Sequence, residues 1–199
     1  MNDDAARLLE TERAAHALLS RALNPAAADT IAFARLIGAR LHARELVLLG
    51  LSRNEVGALV ERHFPHALDD VDLPVAVLLS PHSEFVDQLR ELLLHHDVTA
   101  ATYAADARCL ATIISAACLR LDHLWRDLGL TGRDDVTDIL QRHYPDLVAR
   151  NVKQMRWKKF LAQEVALANG RTITHAPGCP GCEDFAYCYP GEAGSNKPH

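Results

Sequence analysis

Leu49-Gly50-Leu51-Ser52-Arg53-Asn54-Glu55, running on to Arg62-His63-Phe64-Pro65, is the stretch that decides the fold. Its signals return as Leu128-Gly129-Leu130-Thr131 and Arg142-His143-Tyr144-Pro145, with one residue inserted in the second copy. Each copy reads as helix, tight turn, helix, stop. The glycine takes the left-handed conformation that ends one helix, Ser52 or Thr131 caps the next, Arg-His complements its negative end, and proline terminates it. Ser52 with Glu55 has the form of a capping box. His63 and His143 therefore read as helix-end residues and not as ligands.

Outward from these units, apolar residues recur at three and four through most of the first 168 positions, and long alternating stretches are absent. The pattern predicts an all-α fold, a helical bundle built partly from two similar helix-turn-helix units, with helices over 3–22, 29–49, 52–63, 83–95, 102–128, 131–143 and 152–168. Pro65, Pro74, Pro81 and Pro145 fall between helices. The apolar run 75–79 is the one place where a short buried strand fits, and it is read as loop or the start of the next helix. Residues 1–170 are expected to form the helical domain. Residues 171–199 follow as an irregular C-terminal cysteine loop and a frayed tail rich in Gly, Ser, Asn and Pro.

Composition narrows the classes. With 199 residues, 49% hydrophobic and 24% charged, the chain is long enough and apolar enough to bury a core. The balance of 21 basic against 26 acidic residues, net -5, argues against a general nucleic-acid binder. No apolar run has the length of a bilayer span, and Met1-Asn2-Asp3-Asp4 is acidic where a signal peptide is basic, so a cytoplasmic location and no membrane partner are expected. Of five cysteines, three crowd into Cys179-Pro180-Gly181-Cys182-Glu183-Asp184-Phe185-Ala186-Tyr187-Cys188. Thiols are concentrated this way by soft-metal ligation or disulfide chemistry, and an odd, clustered set fits metal binding in a reducing compartment.

Two further segments carry polar chemistry. On the predicted helix 102–128, Cys118, Asp122 and Trp125 share one face, and His123 and Asp127 stand four apart, where the carboxylate orients the imidazole for a ligand or proton-transfer role. The aligned residues of the first copy, Ala43-Arg44-Glu45-Leu46-Val47-Leu48, lack this set, so the turn does not require it. The competing reading makes Cys118 and Trp125 core and leaves Asp122 and His123 to local hydrogen bonds. The second segment, Lys153-Gln154-Met155-Arg156-Trp157-Lys158-Lys159-Phe160, holds four cations and a tryptophan in seven residues. Arg156, Lys158 and Lys159 are candidates for docking an anion or an acidic partner, against an amphipathic helix with a solvated basic face.

Three blocks in order, His123 to Leu130, Asn151 to Phe160, and Ala176-Pro177-Gly178-Cys179 through Cys182 to Cys188, resemble the NifQ family over residues 109–190. The resemblance implies a molybdenum-iron-sulfur protein, not an enzyme, that serves assembly of the nitrogenase iron-molybdenum cofactor. It implies a cluster of molybdenum, three irons and sulfide, a molybdate or other molybdenum source, and as partners the nitrogenase iron protein (NifH) and the NifEN cofactor scaffold. Its ligand pattern is C-x4-C-x2-C-x5-C, and Thr174 stands here where the family has its first cysteine. Cys179, Cys182 and Cys188 carry over as ligands. Three thiolates suffice for three irons, which leaves the molybdenum corner open, with His175 as the candidate to fill it.

Readings from other classes remain beside this one. Cys179, Cys182 and Cys188 with His175 also make a Cys3His set for a structural zinc-binding helical interaction protein. An enzyme using Asp122, His123 and Asp127 as acid and base finds no phosphate-binding glycine loop, dinucleotide fingerprint or nucleophile elbow to support it.

Overall fold

The computed structural model describes residues 3–69, 71 and 81–191. The run 75–79 and the tail beyond residue 191 lie outside the described residues. Ten α-helices occur among the described residues, and no strand: α1 (Asp3–Leu19), α2 (Ala28–His42), α3 (Arg53–His63), α4 (Ser83–His96), α5 (Ala104–Ala117), α6 (Leu124–Leu128), α7 (Arg133–His143), α8 (Pro145–Arg150), α9 (Trp157–Ala168) and α10 (Phe185–Cys188). Short 3-10 turns cover Leu46–Leu49 and Cys179–Gly181. Among the described residues, no helix is long and apolar enough to cross a membrane.

The main core centres on α2 and α5, and a smaller cluster lies under the cysteine loop. Small side chains such as Ala34, Ala111 and Ala117 are fully buried beside Phe33, Leu36, Ile37, Leu110 and Ile114, so helices approach closely and interdigitate. Both predicted turn glycines are left-handed, with φ of 72° at Gly50 and 75° at Gly129. Gly129 is doubly constrained, since a Cβ there would stand 2.0 Å from the Ala39 Cβ on α2. The capping box forms as read: Ser52 N donates to Glu55 Oε2 at 2.8 Å, and Ser52 Oγ accepts from Glu55 N. In the second copy the inserted residue shifts the helix start, so that Gly132 precedes α7 without a side-chain cap and Asp135 reaches back to Thr131 N at 2.9 Å.

The Arg-His pairs tie the two units together. Arg142 Nε and His143 Nε2 both bond Asp29 Oδ1 in the first turn of α2, at 2.6 and 3.0 Å. Arg62 and His63 grip Asp106 in the first turn of α5, at 2.9 and 3.2 Å, while His63 Nδ1 meets Thr30 Oγ1 of α2 at 3.0 Å. Each unit's last helix thus clamps the start of the other unit's first helix.

Three of the predicted helices change their bounds, the first for a tertiary reason and the other two for local ones. The helix over 102–128 breaks after Ala117 and resumes at Leu124, because tertiary donors take the carbonyls a continuous helix needs. Gly178 N donates to Cys118 O at 3.1 Å, and the Lys158 ammonium donates to the carbonyls of Arg120 and Asp122 at 2.7 and 2.6 Å. The helix over 29–49 ends at His42, with Arg44 in a left-handed conformation before the 3-10 turn. The helix over 152–168 starts only at Trp157, since Asn151 folds back on Met155, accepting from its N–H at 2.8 Å and donating to its carbonyl at 3.0 Å. Pro145, read as a stop, also begins α8, where the first turn needs no N–H from it.

Candidate metal centre

The site is assembled from three pieces of chain: the strap between α5 and α6 (residues 118–123), the first turn of α9, and the cysteine loop 176–189. Lys158 bolts the first two together. Its buried ammonium donates to Asp127 Oδ2 at 2.5 Å as well as to the two strap carbonyls, and Asp127 Oδ2 also accepts from Asp122 N at 3.3 Å. Gly178 brings the third piece in. It lies so close to the strap that a Cβ would fall 1.8 Å from the Arg120 carbonyl oxygen. Ala176 and Cys179 then pack on Ala162 of α9, with Phe85, Phe185 and Tyr189 around them.

This packing opens a cavity of about 210 Å³ whose wall includes Cys179, Cys182 and Cys188 together with Asp122 and His123. Cys179 is buried and the other two half-buried. A 3-10 turn sets the first pair, with Cys182 N donating to Cys179 O at 3.0 Å, and Lys159 holds the Cys188 carbonyl. Burial pushes all three thiols above their ordinary pKa, while Lys158 beside Cys179 and Cys182, and Lys159 and Arg156 beside Cys188, pull the other way. Metal-free, the trio holds protons at neutral pH; a metal must displace them, and the adjacent cations favour that exchange.

Charge around the cavity is arranged in pairs with a surplus of cations. Arg156 bonds Asp184 at 2.6 Å, and Arg126 reaches Asp122 and Glu183, each at 3.2 Å. Arg133 donates to the Gln154 and Met155 carbonyls at 2.8 Å, and Lys159 to that of Cys188, so among the described residues these two cations spend their bonds on neutral acceptors. Both line this cavity and a neighbouring one bounded also by Lys153 and Tyr187. A group made anionic by three thiolates is compatible with such a rim.

The structure sorts the residues singled out from sequence. Asp122 and His123 do not form a second polar site; they belong to the cysteine cavity. The pairing of His123 with Asp127 does not occur, because the strap is not helical. His123 Nε2 instead meets Glu183 Oε1 at 2.9 Å, its Nδ1 lies 3.8 Å from Cys182 Sγ, and Asp127 serves Lys158. Cys118 is core: fully buried, its thiol is pushed up to about 12 by burial, and it is absent from the cavity wall. Lys158 is neither a docking cation nor part of a solvated face, being 5% exposed and saturated with acceptors. Arg156 and Lys159 do line the cavity.

His175 and Thr174 fall elsewhere. Thr174 is exposed, and the His175 ring packs edge-on against Phe185 and Tyr189 at 5.6 and 5.8 Å, outside the cavity lining. Among the described residues, no group of three or more His, Cys, Asp or Glu side chains stands so as to hold a single metal ion. Sequence reasoning missed Glu183, Asp184, Arg126 and Arg133. The first two carried a usable signal, lying inside the cysteine motif; Arg133 reaches the site only through tertiary packing.

The profile of the NifQ family matches residues 11–190. Protein NifQ of Azotobacter vinelandii is 32% identical over 152 residues, covering 72% of this chain and 78% of that protein. The Protein NifQ homolog of Sinorhizobium fredii is 36% identical over 152 residues, covering 75% and 64%, and Protein NifQ of Rhodobacter capsulatus is 33% identical over 142 residues, covering 71% and 75%. No solved structure matches the chain. The chain belongs to the NifQ family.

Proposed function

We propose that this NifQ-family protein carries a molybdenum-iron-sulfur cluster and donates its molybdenum for assembly of the nitrogenase iron-molybdenum cofactor in nitrogen fixation. The observation that carries the reading is the placement of Cys179, Cys182 and Cys188 on the wall of one cavity whose rim holds more cations than carboxylates. Thiolate sulfur is a soft donor suited to iron-sulfur chemistry, and one sulfur per iron accounts for three irons without a fourth cysteine. Thr174 leaves no thiol at the position of the family's first cysteine, so the fourth corner takes no thiolate from this motif, and a weaker donor there suits cargo that must leave.

The chain's own groups divide the work. Cys179, Cys182 and Cys188 hold the iron portion, and Lys158 fixes the strap against which their loop rests. Lys159 and Arg156 offset negative charge at the mouth and present a cationic face to molybdate or to an acidic surface of the receiving partner, the nitrogenase iron protein or the NifEN scaffold. When bound, the cluster would supply sulfide bridges to the molybdenum in transit.

Anaerobic purification followed by metal analysis and paramagnetic resonance tests the proposal. Wild type is expected to be brown, with iron, sulfide and molybdenum, and Cys182→Ala to lose most of its iron and its resonance signal. Colourless wild-type protein that contains zinc and no iron, from cells supplied with iron and sulfide, would falsify the carrier reading in favour of a structural metal.

A further inference from the structure

We infer that His123 is the protein ligand for the molybdenum corner, coordinating through Nδ1, with Glu183 as the positioning residue that fixes its ring. The inference rests on the carrier reading above and goes beyond the cysteines. Several observations carry it. His123 lines the cysteine cavity, and its Nδ1 is 3.8 Å from Cys182 Sγ. Its other nitrogen, Nε2, lies 2.9 Å from Glu183 Oε1. A carboxylate only accepts, so Nε2 carries a proton and Nδ1, on the thiol side, is the nitrogen whose lone pair can meet a metal. A metal-binding histidine commonly has this carboxylate behind it, which sets the tautomer and aims the ring.

The residue is also held in place. His123 N donates to Asp122 Oδ1 at 2.7 Å, its carbonyl accepts from Asp127 N at 2.9 Å, and its ring lies parallel to Trp125, 9° between planes and 6.3 Å between centroids. Glu183 sits within the cysteine motif and is shared with Arg126. One hydrogen bond therefore joins the strap to the loop at the point where both face the cavity. The expected alternative, His175, is absent from that wall: its ring packs edge-on against Phe185 and Tyr189, which stand between it and the cavity they line.

The full chain, reconstituted anaerobically with ferrous iron, sulfide and molybdate, provides the test in wild type, His123→Ala, His123→Cys, Glu183→Gln and His175→Ala. Molybdenum and iron are counted after desalting, and X-ray absorption at the molybdenum edge reads nitrogen neighbours. We expect His123→Ala to keep its iron while losing molybdenum on the order of tenfold faster and losing the nitrogen shell, and Glu183→Gln to fall between it and wild type. His123→Cys should regain retention with sulfur in place of nitrogen, and His175→Ala should match wild type. A His123→Ala protein with wild-type iron, wild-type molybdenum retention and an unchanged absorption edge overturns the assignment and leaves the carrier reading standing. Wild type that takes up neither metal overturns both. Circular dichroism of each variant separates lost coordination from lost fold, and a misfolded His123→Ala leaves the decision to the edge spectra of wild type and His123→Cys.

Discussion

Lys158 shows how one side chain changes meaning between sequence and structure. In Arg156-Trp157-Lys158-Lys159 it is one cation among several, yet it alone is turned inward, with its ammonium shared among the carbonyls of Arg120 and Asp122 and the carboxylate of Asp127. A buried pair of this kind adds little over an apolar replacement of both partners, but removing one partner strands the other. Lys158→Ala is therefore expected to cost about 3 kcal/mol, because the Arg120 and Asp122 carbonyls lose their buried donor and Asp127 keeps only the more distant Arg120 guanidinium, 3.4 Å away. Urea unfolding at neutral pH measures it. A loss below about 1 kcal/mol would mean that the pair is open to water. Arg120 belongs to the same knot, its guanidinium driven down to about 10 mainly by burial. No sequence signal distinguishes Lys158 from Lys159, since both sit in the first turn of α9 and only the neighbouring strap selects between them.

At the scale of elements, the strap from Cys118 to His123 is the piece on which the site depends. Its local sequence is compatible with helix, and the break comes from partners far along the chain. Gly178 is the closest of these, since its missing side chain lets the cysteine loop touch the Arg120 carbonyl. Gly178→Ala places a methyl group where there is no room, so loop and strap must separate. The helices are expected to remain, with far-UV circular dichroism unchanged, while iron uptake falls several-fold. Gly132→Ala is the control, because its backbone is extended and a Cβ there meets nothing within 4 Å. Equal metal uptake by the two variants would show that the loop-to-strap contact does not shape the cavity. The turn glycines, the capping box and the helical periodicity were legible in the sequence because each is enforced within a few residues.

Across the whole molecule, the crossed clamps Arg142-His143 on Asp29 and Arg62-His63 on Asp106 hold the two units in register. The hydrogen bond from His143, with Arg142 beside it, draws the Asp29 carboxyl from its ordinary value to about 2. Burial alone pushes Asp106 upward, but the bonds from His63 and Arg62 outweigh it and leave that carboxyl below its usual range. A carboxylate depressed in the folded state stabilises the fold above its unfolded pKa and loses that contribution as pH falls through the folded value. Asp29→Asn should thus cost about 2 kcal/mol at neutral pH, and the gap to wild type should close as pH drops from about 4 to about 2. Stability measured by denaturant titration across that window checks the sign; a gap that persists at the acid end would place the effect in packing. The sequence by itself determined that the chain is helical, where the repeated turns fall and which thiols gather, because periodicity, left-handed glycines and close cysteine spacing act over short distances. Only the tertiary structure decided that the predicted helix 102–128 is interrupted, that His123 and not His175 faces the thiols, and that Lys158 is a bolt. Each of those outcomes depends on a partner 30 to 60 residues away, and long-range contacts leave no periodic trace in the chain.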